Sequence, residues 1–103
     1  VDHEAFKALL RLIDGGKTWV KLSAPYESSK AGGPGFADVT PLAKALVKHA
    51  PERMLWASNW PHPSVKGEPP DDADLFDLLE EWAPDPVVRA RILADNPARL
   101  YRF

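Results

Sequence analysis

The chain has no cysteine, no long apolar run and no basic tract, and each absence excludes a class of protein. Without cysteine there are no disulfides, no thiolate zinc ligands and no cysteine nucleophile. No segment approaches the roughly 18 apolar residues of a membrane span, and no signal peptide is visible. With 13 basic and 15 acidic residues, the net charge of −2 gives no nucleic-acid footprint. We therefore expect a cytoplasmic protein that binds neither nucleic acid nor membrane.

Histidine is scarce as well. His3, His49 and His62 match neither the HxH nor the HExxH spacing of metal sites. We therefore predict that this chain binds no metal alone, and its sequence leaves the cofactor unknown. Eleven prolines, by contrast, are many for 103 residues, and they follow apolar segments, which is typical of loops. No repeat or linker divides residues 1–103, and the start at Val1 inside a helical pattern leads us to expect a fragment or a processed product.

Hydrophobic periodicity predicts helices that alternate with strands. The expected elements are a helix over 2–14, a strand over 18–23, a long loop over 24–36, a helix over 37–50, a strand over 53–57, a second long loop over 58–72, a helix over 73–82 and a last helix from Asp85-Pro86 through Ala94. Asp38 is the expected N-cap of the second helix, whereas Asp71, Asp72 and Asp74 are interpreted as acids that cap the third.

The C-terminal end of the chain is expected to leave helical structure. Asn96-Pro97 should stop the last helix, because proline cannot continue one. Leu100, Tyr101 and Phe103 would then form a tail that docks on the domain.

The alternation of helices and buried strands predicts an α/β fold with parallel strands joined by right-handed crossovers. Two strands cannot form a stable sheet alone, so the others must come from upstream sequence, another chain or a second copy. Strand parity puts Val20, Leu22 and Trp56 under the helices. It puts Lys21 and Ser23 on the opposite face, together with Leu55, Ala57 and Asn59.

The segment 54–63, MLWASNWPHP, reads as a buried parallel strand that ends in a functional loop. Asn59 could orient a substrate carbonyl or carboxylate, or it could be an ordinary turn residue. His62 could be a general acid or base, or a structural histidine hydrogen-bonded within its loop. Trp60 lies between them in the sequence and is a candidate substrate contact.

The first strand and its loop supply further candidates for substrate binding. Lys21 on an inward strand face would be costly to bury unpaired, so it should meet an acid or a substrate carboxylate, unless it is exposed. Ser23 follows on the same face. Tyr26 could hydrogen-bond a ligand, and Glu27 could be a base or pair with a cation. For each of these two alone, a solvated loop residue is the competing interpretation.

Four stretches resemble the amidohydrolase-2 family of metal-dependent hydrolases, and within it the 2-pyrone-4,6-dicarboxylate lactonase-like branch. They are 19–26 (WVKLSAPY), 51–53 (PER), 55–62 (LWASNWPH) and 96–101 (NPARLY), in the order of the family. The resemblance implies that residues 1–103 are the C-terminal third of a (β/α)8 TIM barrel, from the sixth helix onward, with strands seven and eight.

Two positions depart from the family pattern. The family usually places a water-activating aspartate where Asn59 stands, and an amide cannot accept a proton as a carboxylate does. A substrate-binding arginine often follows the strand-seven tyrosine, where this chain has Glu27. The family's metal-binding histidine pair follows strand one, outside this chain, and the lactonase branch looks metal-independent. Whether a full-length enzyme would bind a divalent metal is left open by the sequence.

The resemblance implies a hydrolase that adds water to the carbonyl of a lactone or another cyclic carboxylate or dicarboxylate, a small-molecule substrate. A non-oxidative decarboxylase on the same barrel is one alternative, and a catalytically silent, truncated or oligomerising half-barrel is another. Because a barrel assembles its site from several strand ends, we expect the 103-residue chain alone to be inactive. We also expect it to self-associate or to need an N-terminal barrel portion.

Overall fold

The computed structural model describes residues 3–102. Its elements are α1 (Glu4–Asp14), β1 (Val20–Leu22), α2 (Thr40–His49), β2 (Met54–Trp56), α3 (Asp72–Trp82), α4 (Pro86–Ala90) and α5 (Asn96–Tyr101). Short 3-10 turns cover Pro25–Glu27 and Pro51–Arg53, and a π-helical turn covers Arg91–Asp95. The predicted order of helices and strands is confirmed, with strands shorter than expected.

The two strands pair in parallel, with Val20 opposite Met54 and Leu22 opposite Trp56. The intervening α2 forms the crossover between them. The α/β class and the parallel pairing are therefore confirmed. The barrel stays a prediction, because the sheet within residues 3–102 has two strands.

One face of this sheet packs on the helices. Val20, Leu22, Met54 and Trp56 all contact a core that α1, α2, α3 and the π-helical turn complete. The Trp56 ring meets the Phe76 ring of α3 edge-on, with 5.3 Å between centroids. Strand parity is confirmed for these residues, and it leaves their neighbours on the opposite face of the sheet.

The start of α2 differs from the prediction. The helix begins at Thr40 and its N-cap position is Val39, so the assignment of Asp38 as the cap is wrong. The Asp38 carboxylate instead accepts hydrogen bonds from the Ser29 hydroxyl at 2.5 Å and from the backbone N–H of Lys30 at 2.7 Å. These bonds close the loop after β1, and a short polar side chain satisfies loop N–H groups as readily as helical ones.

The expected stop at Asn96-Pro97 is also wrong. The chain runs from α4 through the π-helical turn into α5 without a break, and Pro97 stands in the first turn of α5, the part of a helix that tolerates proline best. Asn96 is buried and donates from Nδ2 to the carbonyls of Pro51 at 2.7 Å and Met54 at 2.9 Å. Tyr101 belongs to α5 rather than to a docked tail, and Phe103 lies outside the described residues.

Candidate active site

The carboxyl ends of β1 and β2 lie side by side because the strands are parallel and in register. The turn after β1 carries Tyr26, and the loop after β2 carries Asn59 and His62. The Asn59 Nδ2 donates to the Tyr26 hydroxyl at 2.8 Å, and that hydroxyl lies 2.8 Å from the His62 Nδ1. Residues that are 33 or 36 positions apart in the sequence thus form one cluster.

Asn59 reaches this position through a left-handed backbone, with φ of +67°. Asparagine tolerates that region better than most residues, which explains why the chain can turn sharply three residues after the end of β2. Its carbonyl accepts the His62 N–H at 2.8 Å, so the turn itself is hydrogen-bonded. The side chain is half-buried, and within residues 3–102 no donor reaches its Oδ1. One amide oxygen therefore remains for a ligand.

His62 is enclosed. Its side chain is 2% exposed, and its Nε2 lies 2.8 Å from the Asp72 Oδ1 at the start of α3. The Tyr26 ring packs against the imidazole edge-on, with 5.6 Å between centroids. Both ring nitrogens are used by protein groups, and so the imidazole has no direct access to a ligand.

Asp72 is the site residue that sequence analysis missed. It was interpreted as a helix cap, but the cap of α3 is Asp71, which accepts the Ala73 N–H at 2.7 Å. Asp72 stands one position further and turns back to His62. The signal was present in the sequence: of two adjacent acids before a helix, one alone can hold the N-cap position, which leaves the other for another partner.

The remaining candidates lie around this cluster without joining it. Lys21 is exposed in the middle of β1, and Ser23 is half-buried just beyond the strand. Glu27 is exposed and accepts a short hydrogen bond from the Ser64 hydroxyl, which ties the two loops together. The Trp60 side chain is exposed. Within residues 3–102, no hydrogen bond or ion pair links the side chains of these four residues to Tyr26, Asn59 or His62.

A cavity of about 380 Å³ opens beside Tyr26, between the two long loops and the start of α3. Pro34, Phe36, Val65 and Leu75 give it apolar walls, and Asp71 and Asp74 are among its acidic residues. Such a volume falls at the small end of small-molecule sites. A second hollow of about 190 Å³ lies between α1, β1 and α2, where Lys21 and Ser23 contribute to the lining.

The described residues do not form a metal site. No group of three histidine, aspartate or glutamate side chains lies close enough in residues 3–102 to hold an ion. His62 could not be a ligand without giving up Tyr26 or Asp72, since both of its nitrogens are bonded to them. In the same range, none of the helices combines the length and the apolar content that a membrane crossing requires.

The chain belongs to the amidohydrolase family, whose model matches residues 1–103. It is 44% identical to a D-galactarolactone isomerase of Agrobacterium fabrum over 99% of this chain and 35% of that protein. It is 36% identical to a 2-pyrone-4,6-dicarboxylate hydrolase of Comamonas testosteroni over 98% of this chain and 36% of that protein. A crystal structure of an apo protein from Agrobacterium tumefaciens matches with a TM-score of 0.85 and 43% identity, over 99% of this chain and 36% of that one.

The family and its lactonase-like branch, which the motifs at 19–26 and 55–62 predicted, are thereby confirmed. The family is one of enzymes, and these two relatives are named for action on lactones or on a pyrone. The chain spans about a third of the length of the curated relatives that it matches.

Proposed function

We propose that this chain is the C-terminal third of a (β/α)8 hydrolase that adds water to the carbonyl of a lactone or a related cyclic carboxylate. The observation that carries the proposal is the hydrogen bond between Asn59 and Tyr26, at 2.8 Å, which joins the carboxyl ends of two parallel strands. Enzymes built on such strands have their chemistry at this end. The names of the relatives favour a lactone over the substrate of a decarboxylase.

In this proposal Asn59 orients the substrate carbonyl. Its Oδ1 and its second amide hydrogen are free of partners within residues 3–102, so it can both accept and donate toward a ligand. It cannot act as a base, and proton transfer falls to the neighbouring Tyr26 and His62. The other proposed substrate-binding residues are Lys21, Ser23, Glu27 and Trp60.

The remaining strands of the site would come from an N-terminal barrel portion or from a second copy. The two-stranded sheet leaves strand edges unpaired, which favours association with other strands. We therefore expect the isolated chain to show no turnover of a lactone panel and to scatter light as an oligomer. A monodisperse monomer with a sharp thermal transition would contradict the second expectation.

A fusion protein tests the function directly. The chain replaces the C-terminal third of the 44% identical D-galactarolactone isomerase. The fusion is assayed for isomerisation of that lactone and for hydrolysis of a lactone panel. We expect turnover in the fusion, a reduction of that turnover on Asn59→Ala, and full turnover on His49→Gln, which alters an exposed histidine far from the proposed site. A folded fusion with no turnover, or turnover by the isolated chain, would contradict the proposal.

A further inference from the structure

We infer that the Tyr26 hydroxyl is the point at which buried His62, paired with the half-exposed carboxylate of Asp72, exchanges a proton with a bound ligand. Asp72 at one end of the row Asp72–His62–Tyr26–Asn59 and the Asn59 amide at the other define the direction of its hydrogen bonds. The inference deepens the proposed function and rests on it for its kinetic test. The direction of the hydrogen bonds is tested independently.

The direction follows from the chemistry of the four groups. The Asp72 carboxylate can accept hydrogen bonds but cannot donate them, so the His62 Nε2 carries a hydrogen and donates to it. In the neutral imidazole the Nδ1 is then an acceptor, and the Tyr26 O–H donates to it. The single hydroxyl hydrogen of Tyr26 is now used. Its oxygen therefore accepts from the Asn59 Nδ2, which is the donor that the structure places there.

The burial of His62 makes Tyr26 the exchange point. The imidazole is 2% exposed, whereas Tyr26 lines the cavity of about 380 Å³. Tyr26, from the turn after β1, and Asp72, from α3, are the titratable groups that contact His62 within residues 3–102. A ligand in the cavity meets the tyrosine, and the histidine acts through it as a positioning and proton-storing residue.

One proton-transfer step involves all four residues of the row, Asn59, Tyr26, His62 and Asp72. A water molecule in the cavity gives a proton to the Tyr26 oxygen as it attacks the lactone carbonyl, while the original Tyr26 proton passes to the His62 Nδ1. One O–H bond of the water and the original Tyr26 O–H break, and a new Tyr26 O–H and an Nδ1–H form. The water oxygen bonds to the carbonyl carbon, and the π electron pair of the C=O bond moves onto the carbonyl oxygen, which takes the negative charge. Tyrosine stays neutral, and the positive charge on His62 lies beside Asp72.

The charged state prepares the reverse step. With Nδ1–H and Asn59 both donating to it, the Tyr26 oxygen has no acceptor within the row, and its new O–H is directed to the ligand. The electron pair on the former carbonyl oxygen re-forms the C=O bond, the ring C–O bond breaks, and the leaving ring oxygen takes the proton of Tyr26. Tyr26 then takes the proton on Nδ1 and the row returns to its first state.

The direction of these hydrogen bonds explains why an amide suits position 59. An aspartate there could not donate, so its carboxylate and the His62 Nδ1 would compete for the single Tyr26 hydrogen. The conflict ends when His62 takes a second proton, because Nδ1 then donates to Tyr26. Asn59→Asp should therefore hold His62 in the charged, doubly protonated form.

Nitrogen-15 NMR of the histidine rings in the full chain tests the polarity. The chain has three histidines, so His3→Gln and His49→Gln assign the signals of His62. We expect hydrogen on Nε2 alone at neutral pH, and on both nitrogens in Asn59→Asp at the same pH. Hydrogen on Nδ1 alone, or an unchanged His62 spectrum in folded Asn59→Asp, would overturn the inference. Asp72→Asn is a second variant. Because its amide can donate or accept, hydrogen should no longer be confined to the Nε2 of His62, and the spectrum should show the Nδ1–H form as well.

Kinetics of the fusion protein test the exchange point. Tyr26→Phe should lower kcat by about 100- to 10,000-fold, the usual contribution of one acid–base group, and change KM little. His62→Gln should flatten the pH profile of kcat, and His49→Gln should leave it unchanged. If the fusion turns over a lactone and Tyr26→Phe has full kcat, the inference fails while the proposed function stands. If the fusion is inactive but the His62 spectra behave as expected, the proposed function fails and the hydrogen-bond polarity stands.

Discussion

The two ends of the same two strands use the same residue types for different purposes, and their asparagines show the contrast. Asn59 at the carboxyl end is half-buried, bonds one side-chain hydroxyl and keeps hydrogen-bonding capacity for a ligand. Asn96 at the amino end is buried, and its amide donates to two backbone carbonyls, those of Pro51 and Met54. The first arrangement suits chemistry and the second suits stability, as is typical of the two ends of strands in α/β barrels.

The histidines repeat the contrast. The His49 Nε2 lies 2.7 Å from the Asp14 Oδ1 near the amino ends of the strands, a distance almost equal to that of His62 and Asp72. The His49 and Asp14 side chains are 32% and 63% exposed, so water competes for their pair, whereas His62 is enclosed and continues to Tyr26. A short His–Asp distance alone therefore does not identify a functional pair. What distinguishes His62 is the burial and the third partner.

The largest expected effect separates the asparagines by kinetics. In the fusion protein, Asn59→Ala should lower kcat/KM by about 10- to 1000-fold, the range for one positioned polar group. Asn96→Ala should leave kcat/KM of the folded protein unchanged. Because the carbonyls of Pro51 and Met54 then lose their donor, the variant should lower the free energy of unfolding by about 1–3 kcal/mol. Steady-state kinetics measure kcat/KM of the two variants, and urea denaturation measures their free energies of unfolding. Equal kinetic losses in both variants would remove the distinction between the ends.

A smaller effect separates the histidines by stability. His62→Ala leaves Tyr26 without its acceptor and opens space under the loop, so we expect a loss of about 1–3 kcal/mol. His49→Ala removes a solvent-exposed pair and should cost no more than about 1 kcal/mol. Thermal unfolding of the full chain compares the two, at one protein concentration because association shifts Tm. A larger loss in His49→Ala would reverse the ranking of the two ends.

The smallest effect concerns the loop that carries Tyr26. The Ser29 hydroxyl, and then the Lys30 N–H, hold the pKa of the Asp38 carboxyl below its ordinary value of 3.8. A lowered folded-state pKa means that this loop is stabilised above that ordinary value and loses the contribution as the pH falls through the lowered one. Hydrogen exchange at Lys30 and Ala31 should thus lose protection in acid, and Asp38→Asn should remove that dependence. Protection in the variant that still falls in acid would point to another carboxyl.

The sequence predicted the parts of this contrast that depend on local pattern. A β-branched and aromatic stretch predicted the first strand and an apolar run predicted the second. The carboxyl-end rule selected Asn59, Tyr26 and His62 as candidates, and the structure brings these three into hydrogen-bond contact. The two adjacent acids at the start of α3 indicated that one of them has a partner other than the helix end. That this partner is His62 depends on how closely α3 approaches the loop after β2, which no local signal records. Asp38 was misassigned because loop and helix N–H groups attract the same side chain.

Position on a strand face was predictable, but the degree of exposure was not. Parity placed Lys21 opposite the helices correctly, yet its exposure depends on which strands and loops cover that face. Residues 3–102 contain neither an acid nor another group paired with it. The substrate contact assigned to Lys21 therefore stays a prediction.

The π-helical turn at Arg91–Asp95 makes the spacing of this chain as important as its chemistry. A turn closed five residues apart instead of four contains one residue more than an α-helical turn, and each residue rotates a helix by about 100°. That rotation presents Asn96 to Pro51 and Met54. Deletion of any one residue between 91 and 95 would restore a regular helix and point the amide away. A relative with a one-residue gap at this turn would therefore lack the hydrogen bonds from Asn96 to the start of β2 and need another contact there. This would hold even if every flanking residue were identical.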